Sequence, residues 1–187
     1  MTKIAVLASH NGSGLEALYN AAVEKKLNIS IVLVISNNTN AQALQKASLY
    51  NIDNFLINTK THKDPDNTIE TLFREYDVDY VYLSGYMKKI SEQTTKEFKI
   101  INSHPSLLPS YGGSGMYGRF VHEAVIKNKE EFSGVTLHHV NEEFDKGEVI
   151  LQKRLKIQPN ESVDSLETRI KALEKVVIVE GFAQCLS

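Results

Sequence analysis

The first half of the chain alternates between short apolar runs and segments in which apolar residues recur every three or four positions. The apolar runs predict buried β-strands at residues 3–9, 29–35, 55–57 and 80–84. The periodic segments predict helices from residue 15 onward and over residues 41–50 and 67–76. Because the strands alternate with helices and are apolar throughout, the pattern predicts a mostly parallel sheet with helices on both faces.

The second half of the chain is less regular. A brief strand over residues 99–101 leads to a loop over residues 105–119 that contains two prolines and four glycines, and a loop this long in a compact domain is usually functional. A helix over residues 120–128 is followed by alternating patterns that predict a pair of strands, and residues 162–183 predict an amphipathic helix. The strand pair covers residues 134–140 and 149–157. We expect an α/β fold with an antiparallel strand in its C-terminal half.

The composition is that of an ordinary globular protein, with 42% hydrophobic and 24% charged residues. Lys and Arg number 21 against 23 Asp and Glu, so the chain lacks the positive charge typical of a general nucleic-acid binder. Cys185 is the only cysteine, which excludes an intramolecular disulfide and a cysteine-based zinc site. The apolar runs are too short to cross a bilayer or to form a signal peptide. We expect a single-domain cytoplasmic protein with neither a membrane nor a nucleic-acid partner.

Residues 9–14, with the sequence SHNGSG, connect the first predicted strand to the first helix. Ligands of parallel sheets bind beyond the carboxyl ends of the strands, and backbone amides at a helix N-terminus attract phosphates. Asn11, Gly12, Ser13 and Gly14 are therefore candidate phosphate-binding residues. An ordinary turn in which a serine caps the helix explains the same residues equally well. The segment lacks the lysine of a nucleoside-triphosphate P-loop.

Residues 113–118, with the sequence GSGMYG, match the G-x-G-x-x-G pattern of dinucleotide-binding folds and precede a helix. The acidic pair Glu142-Glu143 follows at about the distance expected of a ribose contact. The pattern does not come directly off a predicted strand, so a flexible active-site loop is the favoured interpretation. A nicotinamide-dependent oxidoreductase, or a nucleotide-binding module without catalysis, stays open as the alternative.

Asn102 and His104 follow a predicted strand and precede Pro105. A neutral histidine can accept a proton near pH 7, and an asparagine amide can donate to a developing oxyanion. Asp145, in the connection between the last two strands, could orient the histidine. A polar strand end with a hydrogen-bonded histidine is the alternative, and the spacing alone favours it.

The other histidines do not form a metal-binding pattern. His138 and His139 are adjacent on a predicted strand, so their side chains face opposite sides and cannot bind one metal together. His122-Glu123 begins like the zinc motif H-E-x-x-H, but Ile126 stands in place of the second histidine. We therefore predict no metal site.

Residues 102–109, with the sequence NSHPSLLP, are the most specific motif in the chain. They resemble the N-x-H-P-S-L-L-P signature of the folate-dependent formyltransferases. Stretches similar to further motifs of that family follow in order along the chain, at residues 6–13, 84–87, 134–138 and 145–152. The resemblance implies a single-domain Rossmann-like fold in which residues 1–100 bind the substrate phosphate and residues 101–187 carry catalysis and folate binding.

The resemblance also implies an activity, the transfer of a formyl group from 10-formyltetrahydrofolate to the amino group of glycinamide ribonucleotide in purine biosynthesis. The amine would attack the formyl carbon and give a tetrahedral oxyanion that Asn102 and protonated His104 stabilise. Asp145 would orient His104 and raise its pKa by opposite charge. Folate is a consumed co-substrate, so no bound cofactor is implied. The expected partners are the two small substrates, and the expected state is a monomer or a homodimer.

Further substrate contacts follow from the same resemblance. Backbone groups of residues 11–14 would hold the phosphate, and Glu174 would contact the acceptor. A larger set matches positions that bind folate, mostly through backbone groups. It comprises Met87, Lys88, Lys89, Ile90, Asn102, Glu142, Glu143 and Phe144, with Lys63 as a further candidate.

Some positions depart from the family pattern. Gly14 stands where the family often has asparagine, and His10 stands where it often has glycine. Residues 112–118 form a longer segment than in many relatives, which suggests a mobile lid. Because the motifs occupy nearly all 187 residues, we expect a small phosphorylated amine rather than tRNA as the acceptor. Another small phosphorylated amine is the alternative to glycinamide ribonucleotide.

Overall fold

The four strands predicted in the first half of the chain lie side by side. They are β1 (Thr2–Leu7), β2 (Ile29–Ser36), β3 (Asp53–Leu56) and β4 (Tyr80–Leu83). β1 pairs in parallel with β2 and with β4, and β2 pairs in parallel with β3, which confirms the predicted parallel sheet here. The computed structural model describes residues 1–187, and these strands belong to the first of two compact units, Met1–Ile101 and Asn102–Ser187.

The helices of the first unit are α1 (Ser13–Val23), α2 (Gln42–Leu49), α3 (Pro65–Glu75) and α4 (Glu92–Glu97). The first three agree with the predicted helices, whereas α4 was not predicted. α4 has the sequence EQTTKE and therefore no apolar stripe. It begins because the Ser91 hydroxyl accepts a hydrogen bond from the Thr94 amide.

β1 lies at the centre of the first unit's core. Ile4, Ala5, Val6 and Leu7 are fully buried, so both faces of the strand are covered. A parallel strand that is covered on both faces is mostly apolar, because every side chain faces a covering layer. In β1 the polar residues that could contact a ligand therefore come after the strand, at its carboxyl end.

The second unit contains the antiparallel part of the fold. β5 (Ile100–His104) ends the first unit and begins the second, and it is followed by α5 (Arg119–Lys127), β6 (Phe132–His139), β7 (Val149–Lys156) and α6 (Val163–Cys185). β6 and β7 pair antiparallel with Phe132 opposite Lys156, which confirms the predicted strand pair. β5 is longer than predicted, since Asn102, Ser103 and His104 continue the strand.

α6 packs directly on β6 and β7. Gly181 allows this approach, because a Cβ atom at that position would lie 2.2 Å from the Leu137 Cδ2 atom. Seven strands, most of them parallel, together with six helices give the predicted α/β class. No helix combines the length and the apolar composition that a membrane span requires. The assignment of separate roles to residues 1–100 and 101–187 stays a prediction.

Candidate functional site

Residues 9–14, which we call the anion loop, lead from β1 into α1. The residue that caps α1 is Gly12, in the left-handed conformation with a φ of 65°, and no side chain accepts a hydrogen bond at the helix start. The alternative of a serine-capped turn is therefore wrong. A side chain at residue 12 would also meet α2, because a Cβ atom there would lie 2.8 Å from the Ala43 Cβ atom. Glycine is required at this position by both the conformation and the contact.

Gly14 is held by packing against β4. Its amide donates to the Ser84 hydroxyl at 3.1 Å, and a Cβ atom at residue 14 would lie 2.4 Å from the Tyr82 hydroxyl oxygen. The departure from asparagine at this position therefore has a steric reason. The Gly14 amide is thereby used, whereas the amides of Gly12 and Ser13 donate to no group of the chain.

Lys46 of α2 lies beside the anion loop. Its ammonium group donates to Asn11 Oδ1 at 3.0 Å and to Glu16 Oε2 at 3.3 Å. No sequence motif points to this lysine, because α2 carries none and the position of Lys46 beside the loop depends on how α2 packs. Its charge adds to the positive end of α1, where anions are stabilised.

Ser9 connects the anion loop to the segment that follows β4. The Ser9 hydroxyl donates to Asn37 Oδ1 at 2.5 Å and accepts from the Met87 amide at 2.8 Å. Met87, Lys88 and Lys89 are exposed, and Ile90 is half-buried. The first unit thus brings two predicted segments together, residues 9–14 and residues 87–90. Lys63 is exposed in the connection between β3 and α3.

Asn102, His104 and Asp145 lie together in the second unit, and His138, which was not predicted as a site residue, connects them. His104 Nδ1 lies 3.5 Å from Asp145 Oδ2, and His138 Nε2 lies 3.6 Å from Asp145 Oδ1. Asn102 Nδ2 donates to His138 Nε2 at 3.1 Å. We call these four residues the polar cluster. The sequence pattern makes His138 only a weak candidate. Its position near the end of β6, next to β5 in the strand order, is the signal that points to it.

The hydrogen bonds of the polar cluster define where the protons lie. His138 Nδ1 donates to its neighbour's carbonyl, His139 O, at 2.8 Å, so Nε2 is the acceptor that the Asn102 amide requires. His104 Nε2 donates to Tyr111 O at 2.7 Å, so its Nδ1 faces the Asp145 carboxylate without a proton. Hydrogen bonds to the backbone carbonyls of His139 and Tyr111 therefore fix the neutral tautomers of the two histidines.

Burial determines the charge of His104. The ring is only 4% exposed, and burial lowers its pKa below the usual value. The Asp145 carboxylate and the Tyr111 carbonyl raise the pKa, as expected for Asp145, but together they do not offset the burial. Burial therefore favours the neutral ring in the absence of substrate. The expectation that His104 is protonated while it stabilises the oxyanion stays a prediction. Burial acts to raise the pKa of Asp145, but the neighbouring His138 and His104 rings and the Gly113 amide outweigh this and lower it.

The loop over residues 111–118 closes onto the polar cluster. The Gly113 amide donates to Asp145 Oδ2 at 2.9 Å, and a Cβ atom at Gly112 would lie 2.5 Å from the Leu108 Cδ2 atom. The G-x-G-x-x-G pattern therefore begins with a contact to a carboxylate and is separated from β5 by residues 105–112. This is not the strand–turn–helix context of a dinucleotide fingerprint.

The residues before Asp145 form an exposed turn. Glu142, Glu143 and Phe144 are all exposed, and the Glu143 carboxylate pairs with Lys146. Asp145 itself has a φ of 56°, which turns the chain back toward β7. Exposed backbone beside the polar cluster is available for a ligand to contact.

Glu174 lies on α6, and its side chain contacts the middle of β5. Its Oε1 atom accepts a hydrogen bond from the Ser103 hydroxyl at 2.6 Å. Burial raises the pKa of Glu174, although the Ser103 hydroxyl and the Lys171 charge both lower it. The second unit therefore contains, apart from Asp145, a second carboxylate whose pKa is shifted by burial.

No group of three or more His, Cys, Asp or Glu side chains is arranged to hold a metal ion. His122 of α5 is buried, and its Nδ1 atom has no hydrogen-bond partner. Burial also lowers the pKa of His122, so this ring is neutral at pH 7.

Comparisons with known proteins agree with the motifs. A family model described as formyl transferase matches residues 2–182. The chain is 32% identical to the chloroplastic phosphoribosylglycinamide formyltransferase of Arabidopsis thaliana over 95% of the chain and 63% of that protein. It thus spans less than two thirds of that relative's length.

Bacterial relatives match over more of their length. The chain is 35% identical to the phosphoribosylglycinamide formyltransferase of Haemophilus influenzae, over 93% of the chain and 82% of that protein. The crystal structure of glycinamide ribonucleotide transformylase 1 from Geobacillus kaustophilus superposes with a TM-score of 0.91 at 28% identity, over 100% of both chains. The resemblance to folate-dependent formyltransferases is confirmed, and the chain belongs to the formyl transferase family.

Proposed function

We propose that this chain transfers the formyl group of 10-formyltetrahydrofolate to the amino group of glycinamide ribonucleotide in purine biosynthesis. The observation that carries the proposal is the polar cluster, in which an asparagine amide and a neutral histidine lie beside a half-buried carboxylate. Transfer of an acyl-type carbon to an amine requires a donor for the oxyanion and a group that accepts a proton, and these side chains supply both. The names of the relatives supply the acceptor of the proposal, and the resemblance to folate-dependent formyltransferases supplies the donor.

The chemistry forms one bond and breaks another. The acceptor amine attacks the formyl carbon, a carbon–nitrogen bond forms, and the carbonyl oxygen becomes an oxyanion. The intermediate then breaks its bond to the folate nitrogen, which leaves with a proton, while the amine loses one. The Asn102 amide has two hydrogens, and His138 accepts only one, so the second is available to the oxyanion.

His104 contributes a donor and a proton acceptor. Its Nε2 hydrogen donates to Tyr111 O in this structure, so the proposal requires that the Tyr111 carbonyl move aside for the oxyanion. Its Nδ1 atom can take up a proton, which would then face the Asp145 carboxylate at 3.5 Å. A carboxylate at this distance stabilises the imidazolium and orients the ring. His104 would therefore shuttle the proton from the amine to the leaving nitrogen.

Substrate contacts complete the proposal. The Gly12 and Ser13 amides would hold the acceptor's phosphate, aided by Asn11, while Gly14 fixes the loop. Glu174 would contact the same acceptor. Backbone groups of residues 87–90 and 142–144, with Asn102 and Lys63, would contact folate. The monomeric or homodimeric state and the cytoplasmic location stay predictions.

The test measures tetrahydrofolate release from 10-formyltetrahydrofolate by the purified chain, with and without glycinamide ribonucleotide. Release that depends on the ribonucleotide, and that is lost in His104→Ala, supports the proposal. His139→Ala is a matched control, because His139 neighbours the polar cluster but its side chain takes no part in the hydrogen bonds there. Release without any acceptor would overturn the proposal in favour of a hydrolase. Release only with another phosphorylated amine would overturn the assignment of the acceptor.

A further inference from the structure

We propose that Ser103 is a positioning residue that holds the Glu174 carboxylate ready for a hydrogen-bond donor on the acceptor substrate. The inference deepens the proposed function and rests on it for the identity of the acceptor. Ser103 belongs to the signature motif and lies between Asn102 and His104, but it is not one of the four residues of the polar cluster. The observations that carry it are the hydrogen bond of Ser103, the place of Glu174 on α6 and the unpaired oxygen of its carboxylate.

The position of Ser103 follows from the strand that contains it. Successive side chains of a β-strand point to opposite faces, so Ser103 faces away from its neighbours Asn102 and His104. Its hydroxyl is buried, at 8% exposure for the residue, and lies 2.6 Å from Glu174 Oε1. β5 therefore carries two polar sites in the second unit, the polar cluster on one face and the Ser103–Glu174 pair on the other.

Glu174 stands in an apolar row of α6. Ile170 comes one turn before it, and Val177 and Ile178 come one turn after it, and all three are fully buried. A carboxylate in such a row costs free energy unless donors satisfy it. Ser103 supplies one donor, so the carboxylate is held in one orientation rather than turned outward to water.

The other carboxylate oxygen remains available. Glu174 Oε2 accepts no hydrogen bond from the chain, and the residue is half-buried rather than enclosed. A carboxylate with one oxygen tied by a serine and one oxygen open is arranged to accept a hydroxyl or amine hydrogen from a ligand. Hydrogen bonds to a carboxylate are short and strong, and a fixed orientation reduces the entropy lost on binding.

The ionisation of Glu174 depends on the same hydrogen bond. Burial raises the pKa of this carboxyl, and the groups that act against burial are the Ser103 hydroxyl from β5 and the Lys171 charge one turn earlier on α6. Removing the hydroxyl therefore raises the pKa further. Only the ionised carboxylate accepts a hydrogen bond through both oxygens. Because loss of the Ser103 hydroxyl raises the Glu174 pKa, the protonated form, which binds the acceptor less well, persists to higher pH.

The kinetic test compares Ser103→Ala with Ser103→Thr. We expect Ser103→Ala to raise the KM for glycinamide ribonucleotide about tenfold, with kcat and the KM for 10-formyltetrahydrofolate changed less than about twofold. The acid limb of kcat/KM for the ribonucleotide should move to higher pH. Ser103→Thr keeps the hydroxyl and should restore most of the affinity. In a Glu174→Gln background, Ser103→Ala should add little, because the charged partner is already gone.

A second measurement does not depend on the substrate. Carbon-13 labelling of glutamate carboxyls, with Glu174 assigned from Glu174→Gln, gives its titration directly, and we expect Ser103→Ala to move that titration to higher pH. Ser165→Ala is the matched control, because the Ser165 hydroxyl donates to Glu161 at 2.9 Å in an exposed position on the same helix. It should leave both the Glu174 titration and the ribonucleotide KM unchanged.

The outcomes separate the two proposals. If the wild-type chain does not use glycinamide ribonucleotide, the proposed function fails, while the titration still decides whether Ser103 sets the state of Glu174. An unchanged titration in Ser103→Ala overturns the positioning role. Equal losses of kcat for all substrates with a lowered Tm would also overturn it, since that result indicates a structural serine.

Discussion

The anion loop follows the carboxyl end of β1, and the polar cluster includes the last residues of β5, but the two regions present different atoms to a ligand. The anion loop offers backbone amides at the start of α1, in a turn that Gly12 and Gly14 make possible. The polar cluster offers side chains, and its proton positions are set by hydrogen bonds among buried groups. A site made of backbone is sensitive to steric change, whereas a site made of titratable side chains is sensitive to charge and pH.

The difference has a physical origin. Backbone amides do not titrate near pH 7 and remain in place whatever the side chain, provided that the chain can adopt the turn. The imidazole of His104 and the carboxylate of Asp145 each exist in two states, and burial together with mutual charge decides which state is populated. Substitutions in the two regions should therefore produce different kinds of effect.

The largest effect is expected in the polar cluster. His104→Ala should lower kcat by roughly 10²–10⁴, the usual contribution of a general acid–base group, because the proton shuttle is lost. The measurement is steady-state formyl transfer with saturating substrates. A Tm close to that of the wild type would show that the loss is chemical. Near-normal turnover in His104→Ala would contradict the role of this histidine.

A change of charge in the polar cluster should also have a pH signature. Asp145→Asn keeps an oxygen for the Gly113 amide but removes the negative charge that raises the His104 pKa. We expect a loss of about tenfold to a hundredfold in kcat/KM and a shift of the histidine limb to lower pH, since the His104 pKa falls further. The experiment is a pH profile of kcat/KM for both proteins. Coincident profiles would show that Asp145 does not tune His104.

Steric change should dominate in the anion loop. Gly14→Ala places a Cβ atom 2.4 Å from the Tyr82 hydroxyl oxygen, so we expect a loss of about 1–3 kcal/mol in the free energy of unfolding. Tyr82→Phe removes that oxygen but keeps the ring carbon Cε1 at 2.5 Å, so it should recover little of the loss in the double variant. Denaturant unfolding measures both. If the single variant is as stable as the wild type, the packing of Gly14 against β4 is not what excludes a side chain.

The smallest effect should come from a side chain in the anion loop. Ser13→Ala keeps the backbone amide, so the KM for glycinamide ribonucleotide should rise only about tenfold, the lower value of one lost hydrogen bond to a charged group. A matched comparison is the much larger loss in His104→Ala at the same pH. A rise of more than about a hundredfold in Ser13→Ala would mean that the hydroxyl, not the backbone, carries the phosphate.

Most of the fold could be predicted from periodicity, with one instructive failure. The apolar runs and helical stripes located every strand and five of the six helices. α4 was missed because its stability comes from capping and from a buried bond between the Thr94 hydroxyl and Glu70 at 2.6 Å. A hydrogen bond between residues distant in the chain leaves no periodic pattern.

The candidate site could be predicted in part. The signature motif pointed to Asn102 and His104, and the turn before β7 pointed to Asp145, because particular residue types at particular positions are visible in a sequence. His138 was missed, since its contact with Asn102 depends on the register of two strands. The sequence predicted that Asp145 raises the His104 pKa but could not give the net direction of the shift, because burial depends on how the chain packs around the ring.

The sequence by itself determined the α/β class, the chemistry available and the formyltransferase resemblance, because these depend on residue type and spacing along the chain. Only the tertiary structure decided that the Gly14 amide is taken by Ser84, that His104 is neutral and that Ser103 binds Glu174. Each of these depends on distances between residues far apart in the chain and on how much water remains around them. Folding sets those distances and that hydration, and they in turn set which proton, amide or carboxylate oxygen is available for a substrate.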